Sequence, residues 1–379
     1  QNLKRNKLLF FLLSVLLIYP VDSVYSSAIS SSPIWTLQTA DGSSSQKNWS
    51  DIAISADGTR QTAVVRGGFI YVKSVTGSNW VVKNNQAGAG NWSAIAMSRN
   101  GLVQSAVAQG GLIWSSANGG EGWSPISHSA NATTRNWSYV AMSADGVKQV
   151  ATVYGGQIYR SLNSGVSFGL LPNSPIRNWK SIAMSADGIK ITAVVEGGFI
   201  YTSLNGGDSW IMRGLQGNWQ SIAISDDGLK QAAVIFNGRI YRSVDSGINW
   251  TPVGSSNFWG DITMSGSGEE QLAITSNSLN QSSGTLVSGQ IFLSNDSGVT
   301  WLARGPSNNW SYVAVSSSGA VATVAARNVN DGMYTSGDGF ILSQIQATTP
   351  PDTTPPTISL ATISSNNAST TLAKSGNIV

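Results

Sequence analysis

The chain has no cysteine and only one histidine among its 379 residues. Disulfides, cysteine nucleophiles and Cys/His metal clusters are therefore excluded, and we expect neither a metal nor another cofactor. Charged residues make up only 11% of the chain, and just four of them are glutamates: Glu121, Glu196, Glu269 and Glu270. This scarcity of carboxylates limits the possible acid–base chemistry, so no catalytic residue is assigned from the sequence.

Basic residues are also few once the N-terminus is set aside. Residues 4–7 read Lys-Arg-Asn-Lys, residues 8–19 are apolar, and small residues surround position 28. This layout is typical of a secretory signal peptide over 1–28, the alternative being a retained membrane anchor. Without Lys4, Arg5, Lys7 and Asp22, the formal net charge falls from +3 to about +1. We expect an exported, bacterial protein with no membrane insertion after cleavage and no nucleic-acid partner.

An internal repeat dominates the sequence. An Asn-Trp pair, or Phe-Trp in one copy, recurs at intervals of 43, 45, 42, 40, 40 and 51 residues, with the tryptophans at Trp49, Trp92, Trp137, Trp179, Trp219, Trp259 and Trp310. A period near 40 residues is typical of stacked or radially repeated units. The sequence therefore predicts seven copies of one structural unit.

The unit at 178–210 shows what each copy forms. Apolar, β-prone runs at 181–185, 191–195, 199–203 and 209–212 are separated by Asp187-Gly188, Gly197-Gly198 and Gly206-Gly207. Such residues favour tight turns, and β-branched residues favour strands. Four short antiparallel strands per unit predict an all-β fold, a seven-bladed β-propeller.

The ends of the repeat indicate how the ring closes. Six units end in an aromatic fourth strand, which contains Trp80, Trp123, Phe168, Trp210, Trp250 or Trp301. The seventh ends at 339–343 without one, whereas residues 33–38, upstream of the first unit, have the missing pattern. We expect this N-terminal strand to complete the last blade, because pairing removes exposed sheet edges. The predicted propeller covers 32–346.

A second module is predicted after the ring. Residues 347–356 are rich in Thr and Pro, which is typical of a stiff linker. Residues 357–379 follow, and the string from Asp352 to Ile358 resembles the opening of bacterial immunoglobulin-like modules. The resemblance implies the start of a truncated Ig-like β domain, continued by further Ig-like domains.

A second resemblance rests on the turn before the fourth strand. Residues 294–301 read Ser-Asn-Asp-Ser-Gly-Val-Thr-Trp, and 243–250 differ from this pattern only at the Thr position. The pattern resembles the Asp-box, or bacterial neuraminidase repeat, of sialidases, sortilin-type receptors, some glucanases and photosystem assembly factors. The resemblance implies the propeller fold; the box itself is a structural turn in which the Asp or Asn side chain accepts backbone N–H bonds.

The sialidase resemblance implies an arginine triad, a Tyr/Glu pair and an acidic Asp, and none can be placed residue by residue. Most aspartates recur at turn positions, but Asp51 and Asp261 begin inner strands, where Tyr139 and Tyr312 also stand. These four residues are predicted to line the channel mouth. The two carboxylates belong to non-adjacent units one and six, and could be solvated lining, a binding site or an acid–base pair.

One position per unit changes chemistry on a constant frame: Arg66, Gln109, Tyr154, Glu196 and Asn237. Variation of this kind suits a recognition surface, although exposed turn residues also drift freely. The repeated Asn-Trp corners lie at the same end, with Trp49, Trp92, Trp137, Trp179, Trp219 and Trp310. Their rings could stack on sugars, or they could pack between blades.

These observations favour a non-enzymatic binding or adhesion module of a secreted or cell-surface protein, which recognises a glycan or protein ligand on this loop face. The alternatives are a divergent, sialidase-like glycoside hydrolase and a purely structural spacer.

Overall fold

The computed structural model describes residues 35–40, 47–73, 79–83, 88–126, 134–279, 286–326 and 341–345; for 35–40, 279, 286 and 341–345 it describes the backbone alone. All regular structure in these ranges is β-strand. The predicted all-β class is therefore confirmed. Within these ranges, no helix is long and apolar enough to cross a membrane.

The first four units each contain four strands. Strand β1, Trp35–Ala40, precedes the first unit, which contains β2 to β5. The strands of units one to four are β2 Trp49–Ile54, β3 Gln61–Gly68, β4 Ile70–Lys73, β5 Asn79–Val82; β6 Gly90–Met97, β7 Gln104–Gly111, β8 Ile113–Ser116, β9 Ser124–Pro125; β10 Arg135–Met142, β11 Gln149–Gly156, β12 Ile158–Ser161, β13 Gly169–Leu170; and β14 Arg177–Met184, β15 Ile191–Val195, β16 Gly198–Ser203, β17 Ile211–Gly217.

In the next units, some strands run on without a break. The remaining strands are β18 Trp219–Ile224, β19 Gln231–Ser243, β20 Thr251–Met264, β21 Gln271–Thr275, β22 Ser278–Leu279, β23 Leu286–Val287, β24 Ile291–Ser294, β25 Leu302–Ala303, β26 Trp310–Val315, β27 Val321–Ala326 and β28 Ile341–Ile345. Strand β19 combines the second and third strands of unit five. Strand β20 combines the fourth strand of unit five with the first strand of unit six.

Within a unit, consecutive strands pair antiparallel, as β14–β15–β16–β17 do. The first turn of the unit places a glycine at positive φ, for example Gly188 at 68°, a conformation that other residues adopt at a cost. In this unit, β17 begins at Ile211 instead of 209, because Ser209 and Trp210 belong to the preceding turn. In that turn, Asn205 Oδ1 accepts the Ser209 N–H at 3.0 Å.

The last unit includes the N-terminal strand. Strands β26, β27 and β28 pair antiparallel in sequence, and β1 pairs antiparallel with β28, with Trp35 opposite Gln344 and Gln38 opposite Ile341. The end of β1 also runs parallel to β5, where Ala40 lies opposite Trp80. Strand β1 therefore bridges the last and the first units.

The first strands of successive units lie side by side, from β2 to β26, and β26 lies beside β2. A chain of backbone hydrogen bonds joins the turns that follow these strands. In each turn one N–H donates to a carbonyl of the next turn at 2.8 Å, in the order Ala56, Arg99, Ala144, Ala186, Asp226, Gly266 and Ser317. The Ser318 N–H then donates to the Ala56 carbonyl at 3.0 Å. The chain of bonds thus returns to its starting residue.

The hydrophobic core is divided into clusters between neighbouring units, and each is centred on a repeated Trp. Trp179, for example, packs edge to face on Tyr201 at 5.3 Å, and its Nε1 donates to the Gly156 carbonyl at 3.0 Å. Edge-to-face aromatic pairs add to the free energy of burial. The tryptophans therefore hold adjacent units together.

Three predicted segments lie outside the described residues: the signal peptide over 1–28, the linker over 347–356 and the Ig-like segment over 357–379. They remain predictions.

Candidate functional site

The units present two different ends. We define the upper face as the end that contains the turns between the second and third strands. It also includes four residues at the start of each unit: the two before the repeated Trp, the Trp itself and the one after it. We call lower face the opposite end, formed by the turns between first and second strands and between third and fourth strands. Because strands alternate in direction, these turns meet at opposite ends of the sheet.

Every first strand carries a β-bulge at the residue after its Trp. In unit four, for instance, Trp179 pairs with Val195 and Ser181 pairs with Val194, so Lys180 is the extra residue. A bulge re-aims the side chain of the unpaired residue. The seven bulge residues are Ser50, Ser93, Ser138, Lys180, Gln220, Gly260 and Ser311.

Six of these bulge residues line a cavity of about 380 Å³ that opens on the upper face, which we call the upper cavity. Its wall is mostly polar, and Tyr139, Asp261 and Tyr312 also line it. The full lining is Arg66, Ser93, Gln109, Asn136, Trp137, Ser138, Tyr139, Tyr154, Trp179, Lys180, Gln220, Ser221, Gly260, Asp261, Ser276, Ser311 and Tyr312. Polar groups from all seven units thus converge on one space.

The predicted variable positions lie at this end, with one correction. Arg66, Gln109 and Tyr154 line the upper cavity, and Glu196 contacts Lys180, a lining residue. Asn237, however, is one residue out of register. Phe236 pairs with Phe258 as Tyr154 pairs with Asn178, and the Phe236 N–H donates to the Asn218 carbonyl as the Glu196 N–H does to Asn178.

Asn237 itself occupies the left-handed turn position that Gly67, Gly155 and Gly197 fill in other units; its φ is 54°. Asn tolerates this conformation better than most residues, because its short side chain bonds locally. Its assignment to the variable set was therefore wrong, and Phe236, which is 40% exposed, takes its place.

A hydrogen-bonded group joins units three and four beside the cavity. The Tyr154 hydroxyl donates to Glu196 Oε2 at 2.8 Å, and Lys180 Nζ lies 3.7 Å from Glu196 Oε1. The hydrogen bond to Glu196 raises the pKa of Tyr154. Glu196 is therefore engaged by two neighbours, whereas Arg66 contacts no carboxylate among the described residues.

Lys180 and Gln220 were missed by the sequence interpretation. Both are bulge residues, and both line the upper cavity with long polar side chains where most units have Ser or Gly. The signal was present, because the residue after the Trp varies in the same way as the residue before the Gly-Gly turn. Only the bulge explains why that residue faces the cavity.

The six tryptophans of the Asn-Trp corners are at most 3% exposed. Trp137 and Trp179 contribute to the wall of the upper cavity, but their rings pack against Tyr159 and Tyr201. Large aromatic side chains buried in this way contribute mainly to stability. The packing alternative is therefore favoured for Trp49, Trp92, Trp137, Trp179, Trp219 and Trp310.

Asp51 and Asp261 lie deeper in the channel, where both line a second cavity of about 250 Å³. Asp51 accepts the N–H groups of Ile52 and of Ile95, which belongs to unit two, both at 2.9 Å. Asp261 likewise accepts the N–H of Ile262 and that of Val313 in unit seven. Each carboxylate thus links the first strands of two adjacent units.

Burial raises the pKa values of both carboxyl groups. The pKa of Asp261 is raised to about 6 by desolvation, against the hydrogen bonds from Ser221, Val313 and Ile262. The pKa of Asp51 is raised well above its usual range by desolvation, and the charge of Asp261 raises it further. Although units one and six are not adjacent, the fold brings these carboxylates within electrostatic reach.

The pair is poorly arranged for metal binding or nucleophilic attack, because backbone N–H groups already occupy both oxygens of each carboxylate. Among the described residues, no group of three or more His, Cys, Asp or Glu could hold a metal ion. A general acid is the remaining possibility, since a carboxyl with a pKa near 6 stays partly protonated close to neutral pH. Only Asp261 of the two reaches the upper cavity.

The lower end of the channel is crossed by an ion pair. Arg99 of unit two contacts Asp226 of unit five, and Ser317 of unit seven donates to Asp226 Oδ2 at 3.0 Å. The other units have Ala, Ser or Gly at this ring position. These three side chains line a third cavity of about 160 Å³ at this end.

Comparison with solved structures supports a β-propeller fold. A structure of YCF48 bound to D1 peptide is 17% identical, with a TM-score of 0.60, and covers 83% of this chain and 99% of that one. The Niastella koreensis GH74 enzyme is 16% identical, with a TM-score of 0.63, over 78% of this chain and 52% of that one. The β-propeller domain of Myceliophteria thermophila Cps50 (Swd1) is 11% identical, with a TM-score of 0.61, over 83% of this chain and 100% of that one.

No protein-family model matches the chain. No curated protein matches it either. At these identities the similarity establishes the fold alone, and the chain is a β-propeller protein. The similar structures include a peptide complex and a glycoside hydrolase family enzyme, so the fold is compatible with either kind of activity.

Proposed function

We propose that this chain is a closed seven-bladed propeller that serves as a non-catalytic binding module of a secreted or cell-surface protein, with its ligand site at the upper cavity. The closed ring is supported by the β1–β28 pairing and by the hydrogen bond from Ser318 back to Ala56. The third turns, in which Ser and Asp or Asn side chains bond the backbone, are those expected of Asp-boxes.

The observation that carries the proposal is the chemistry of the upper cavity. Its frame repeats in every unit, whereas its side chains differ: a guanidinium, amides, a phenol, an ammonium and hydroxyls. Ligand sites typically place a few convergent polar groups in a concave space of this size. A glycan or a protein loop would use these groups as hydrogen-bond donors and acceptors.

A glycan array probed with the purified protein tests this proposal. For a ligand so found, Gln220→Ala should weaken binding about fivefold to tenfold, because it removes a hydrogen-bonding amide from the cavity. The control is Asn173→Ala, an exposed amide elsewhere whose Nδ2 donates to the Asp208 carbonyl. Binding that responds to neither variant would contradict the proposed site, and the absence of any ligand would favour the structural spacer.

A divergent glycoside hydrolase is the second candidate, and one observation favours it. Asp261 reaches the upper cavity with a pKa of about 6, as a general acid requires. A retaining hydrolase also needs a second carboxylate about 5 Å away, and Asp51 would have to supply it from the deeper cavity. Hydrolysis of any arrayed glycan that Asp261→Asn abolishes would establish this candidate over a binding module.

A further inference from the structure

The two faces of the propeller differ in charge. Among the described residues, the rim of the upper face has a single carboxylate, that of Glu196, and the carboxyl of Asp261 lies in the cavity wall below it. Six cationic side chains lie at the same rim: Lys47, Arg66, Arg135, Arg177, Lys180 and Arg239. The chain as a whole has nearly equal numbers of basic and acidic residues, at 22 and 19. The overall charge therefore conceals a cationic face.

The lower face has most of the acidic residues, and several of its cations are engaged by them or by backbone carbonyls. Arg160 contacts Asp208, and Lys230 lies near Glu269. Lys148 donates to the Asp187 carbonyl at 2.8 Å, and Lys190 does the same with Asp227 at 2.6 Å. These contacts join neighbouring units, so the lower cations serve the fold.

Three of the six upper cations, Lys47, Arg135 and Arg177, lie over aromatic rings. Arg135 lies over Tyr159 at 4.9 Å and Arg177 over Tyr201 at 5.7 Å, and Arg177 Nε donates to the Tyr201 hydroxyl at 3.0 Å. A ring orients a guanidinium without neutralising its charge. With six cationic side chains against one carboxylate at its rim, the upper face has a net positive charge, which attracts anionic ligands.

Arg66 and Lys180 are the two upper cations that line the upper cavity, and Lys180 contacts Glu196. Arg66, the other, is exposed and has no ion-pair partner among the described residues. A guanidinium binds a carboxylate through two parallel hydrogen bonds, and this is among the strongest polar contacts that a protein can offer. An anionic group of the ligand would satisfy it.

The remaining lining favours a polyhydroxylated ligand over an extended peptide. Gln109, Asn136 and Gln220 both donate and accept hydrogen bonds, as sugar hydroxyls require. Extended peptides are bound along a strand edge or a groove, whereas this site is a cavity at the centre of the ring. The exposed Phe236 and the half-buried Phe258, packed edge to face at 5.4 Å, add an aromatic surface at the rim.

We infer that the upper face binds an acidic polysaccharide, with the carboxylate of a sugar residue on Arg66 and neighbouring residues of the polymer along the cationic rim. This inference rests on the proposed binding function and names the chemical class of its ligand. The unpaired Arg66 in a cavity lined by amides and hydroxyls carries it, and the other cations extend it.

Binding to polygalacturonate, alginate and hyaluronan tests the inference, with the methyl esters of the same polymers as uncharged controls. The wild type should bind at least one acidic form at least tenfold more tightly than its ester, and more weakly at 300 mM than at 50 mM NaCl. Arg66→Gln/Arg239→Gln should lose at least tenfold. Lys148→Gln/Lys230→Gln, which changes the net charge equally on the lower face, should stay within twofold.

Equal binding of the acid and its ester, or an equal loss in both double variants, would overturn the inference. The inference would also be overturned if the protein bound none of the three acidic polymers, or if it bound poly-glutamate or single-stranded DNA more tightly than any of them. A neutral glycan whose binding responds to Gln220→Ala would leave the proposed function standing while refuting the acidic ligand. A single cooperative thermal transition, at a temperature well above that of the binding assay, shows that each double variant folds.

Discussion

The repeated positions at the two ends of the channel differ in how much their residues vary. At the lower end, small residues such as Ala144 and Ala186 recur and join their turns through backbone hydrogen bonds, and Arg99 and Asp226 pair with each other. At the upper end, the bulge residues and the residues of the turns between second and third strands vary, and their polar side chains face a cavity. Under our proposal, the recurring lower residues stabilise the ring and the varying upper residues recognise a ligand.

The largest expected effect concerns the repeated tryptophans, which lie at the upper end but pack inside it. Trp179→Ala should lower the free energy of unfolding by about 3–5 kcal/mol, because it empties a buried site between units three and four. Chemical unfolding followed by fluorescence measures this. Ile176→Ala, at a nearby residue that is 63% exposed, should change stability by less than about 0.5 kcal/mol.

A small stability change in Trp179→Ala, together with a loss of ligand binding, would contradict the packing role. It would instead support a role of the tryptophans in ligand binding.

The buried carboxyl of Asp261 should make stability depend on pH. Its pKa is about 6 in the folded protein and near 3.8 when unfolded, so the folded state binds the proton more tightly. Its contribution is therefore fully present below pH 3.8 and is lost as the pH rises through about 6. The loss amounts to about 3 kcal/mol. Urea unfolding between pH 4 and pH 7 measures it.

Asp261→Asn should remove most of this decline, so that the stability of the variant relative to the wild type rises from pH 4 to pH 7. Asp57→Asn is the control, because the pKa of Asp57 is shifted in the opposite direction: hydrogen bonds from the Ser55 hydroxyl and the Thr59 N–H lower it. The decline in stability between pH 4 and pH 7 should therefore persist in Asp57→Asn. A pH dependence identical in wild type and Asp261→Asn would contradict the assignment.

A smaller effect is expected in the lower half of the ring, where side chains bridge neighbouring units. The Thr62 hydroxyl donates to Gln104 Oε1 of the next unit at 2.8 Å, and the Ser105 hydroxyl donates to Gln149 Oε1 at 2.6 Å. Unit five has Ala232 at the position of Thr62 and Ser105, and the buried Oε1 of Gln271 in the next unit has no hydrogen-bond partner. Ala232→Ser should provide the missing donor and stabilise the fold by about 1 kcal/mol.

Thermal unfolding tests this, and Ala233→Ser is a control because it buries a hydroxyl at the adjacent position, away from the bridging register. If Ala232→Ser destabilises the protein as much as Ala233→Ser does, the bridging account is wrong.

The smallest effect concerns the ion pair across the lower end. A double-mutant cycle on Arg99→Ala and Asp226→Ala should give a coupling energy of about 0.5–1 kcal/mol, since both side chains are partly exposed. Ligand binding at the upper face should be unchanged in all three variants. A large loss of binding would show that the two ends are not independent.

Much of the fold follows from local sequence. The Asn-Trp period marks each first strand, and Asp187-Gly188 and similar pairs mark the turns, because residue type alone determines these features. The residues at 33–38 were selected as a strand because the last unit lacks one, and β1 spans Trp35–Ala40. These inferences need only the pattern of one unit and its repetition.

The candidate site was less accessible to sequence analysis, because it depends on register and on distant contacts. One Asn-for-Gly exchange concealed the equivalence of Phe236 to Tyr154. A bulge decides that Lys180 faces the cavity, and the twist of the assembled ring brings Asp51 near Asp261. The variation of the residue after the Trp was visible in the sequence, but the register and the direction of its side chain were not, because they depend on pairing with another strand.

Hydrogen–deuterium exchange with and without bound polygalacturonate tests most directly whether the upper end recognises the ligand while the lower end holds the ring. The account predicts slower exchange with ligand in the upper corners at 135–139 and 177–181, and unchanged exchange in the lower turns at 98–101 and 143–146. Protection by ligand at the lower turns, or binding without protection of the upper corners, would contradict it.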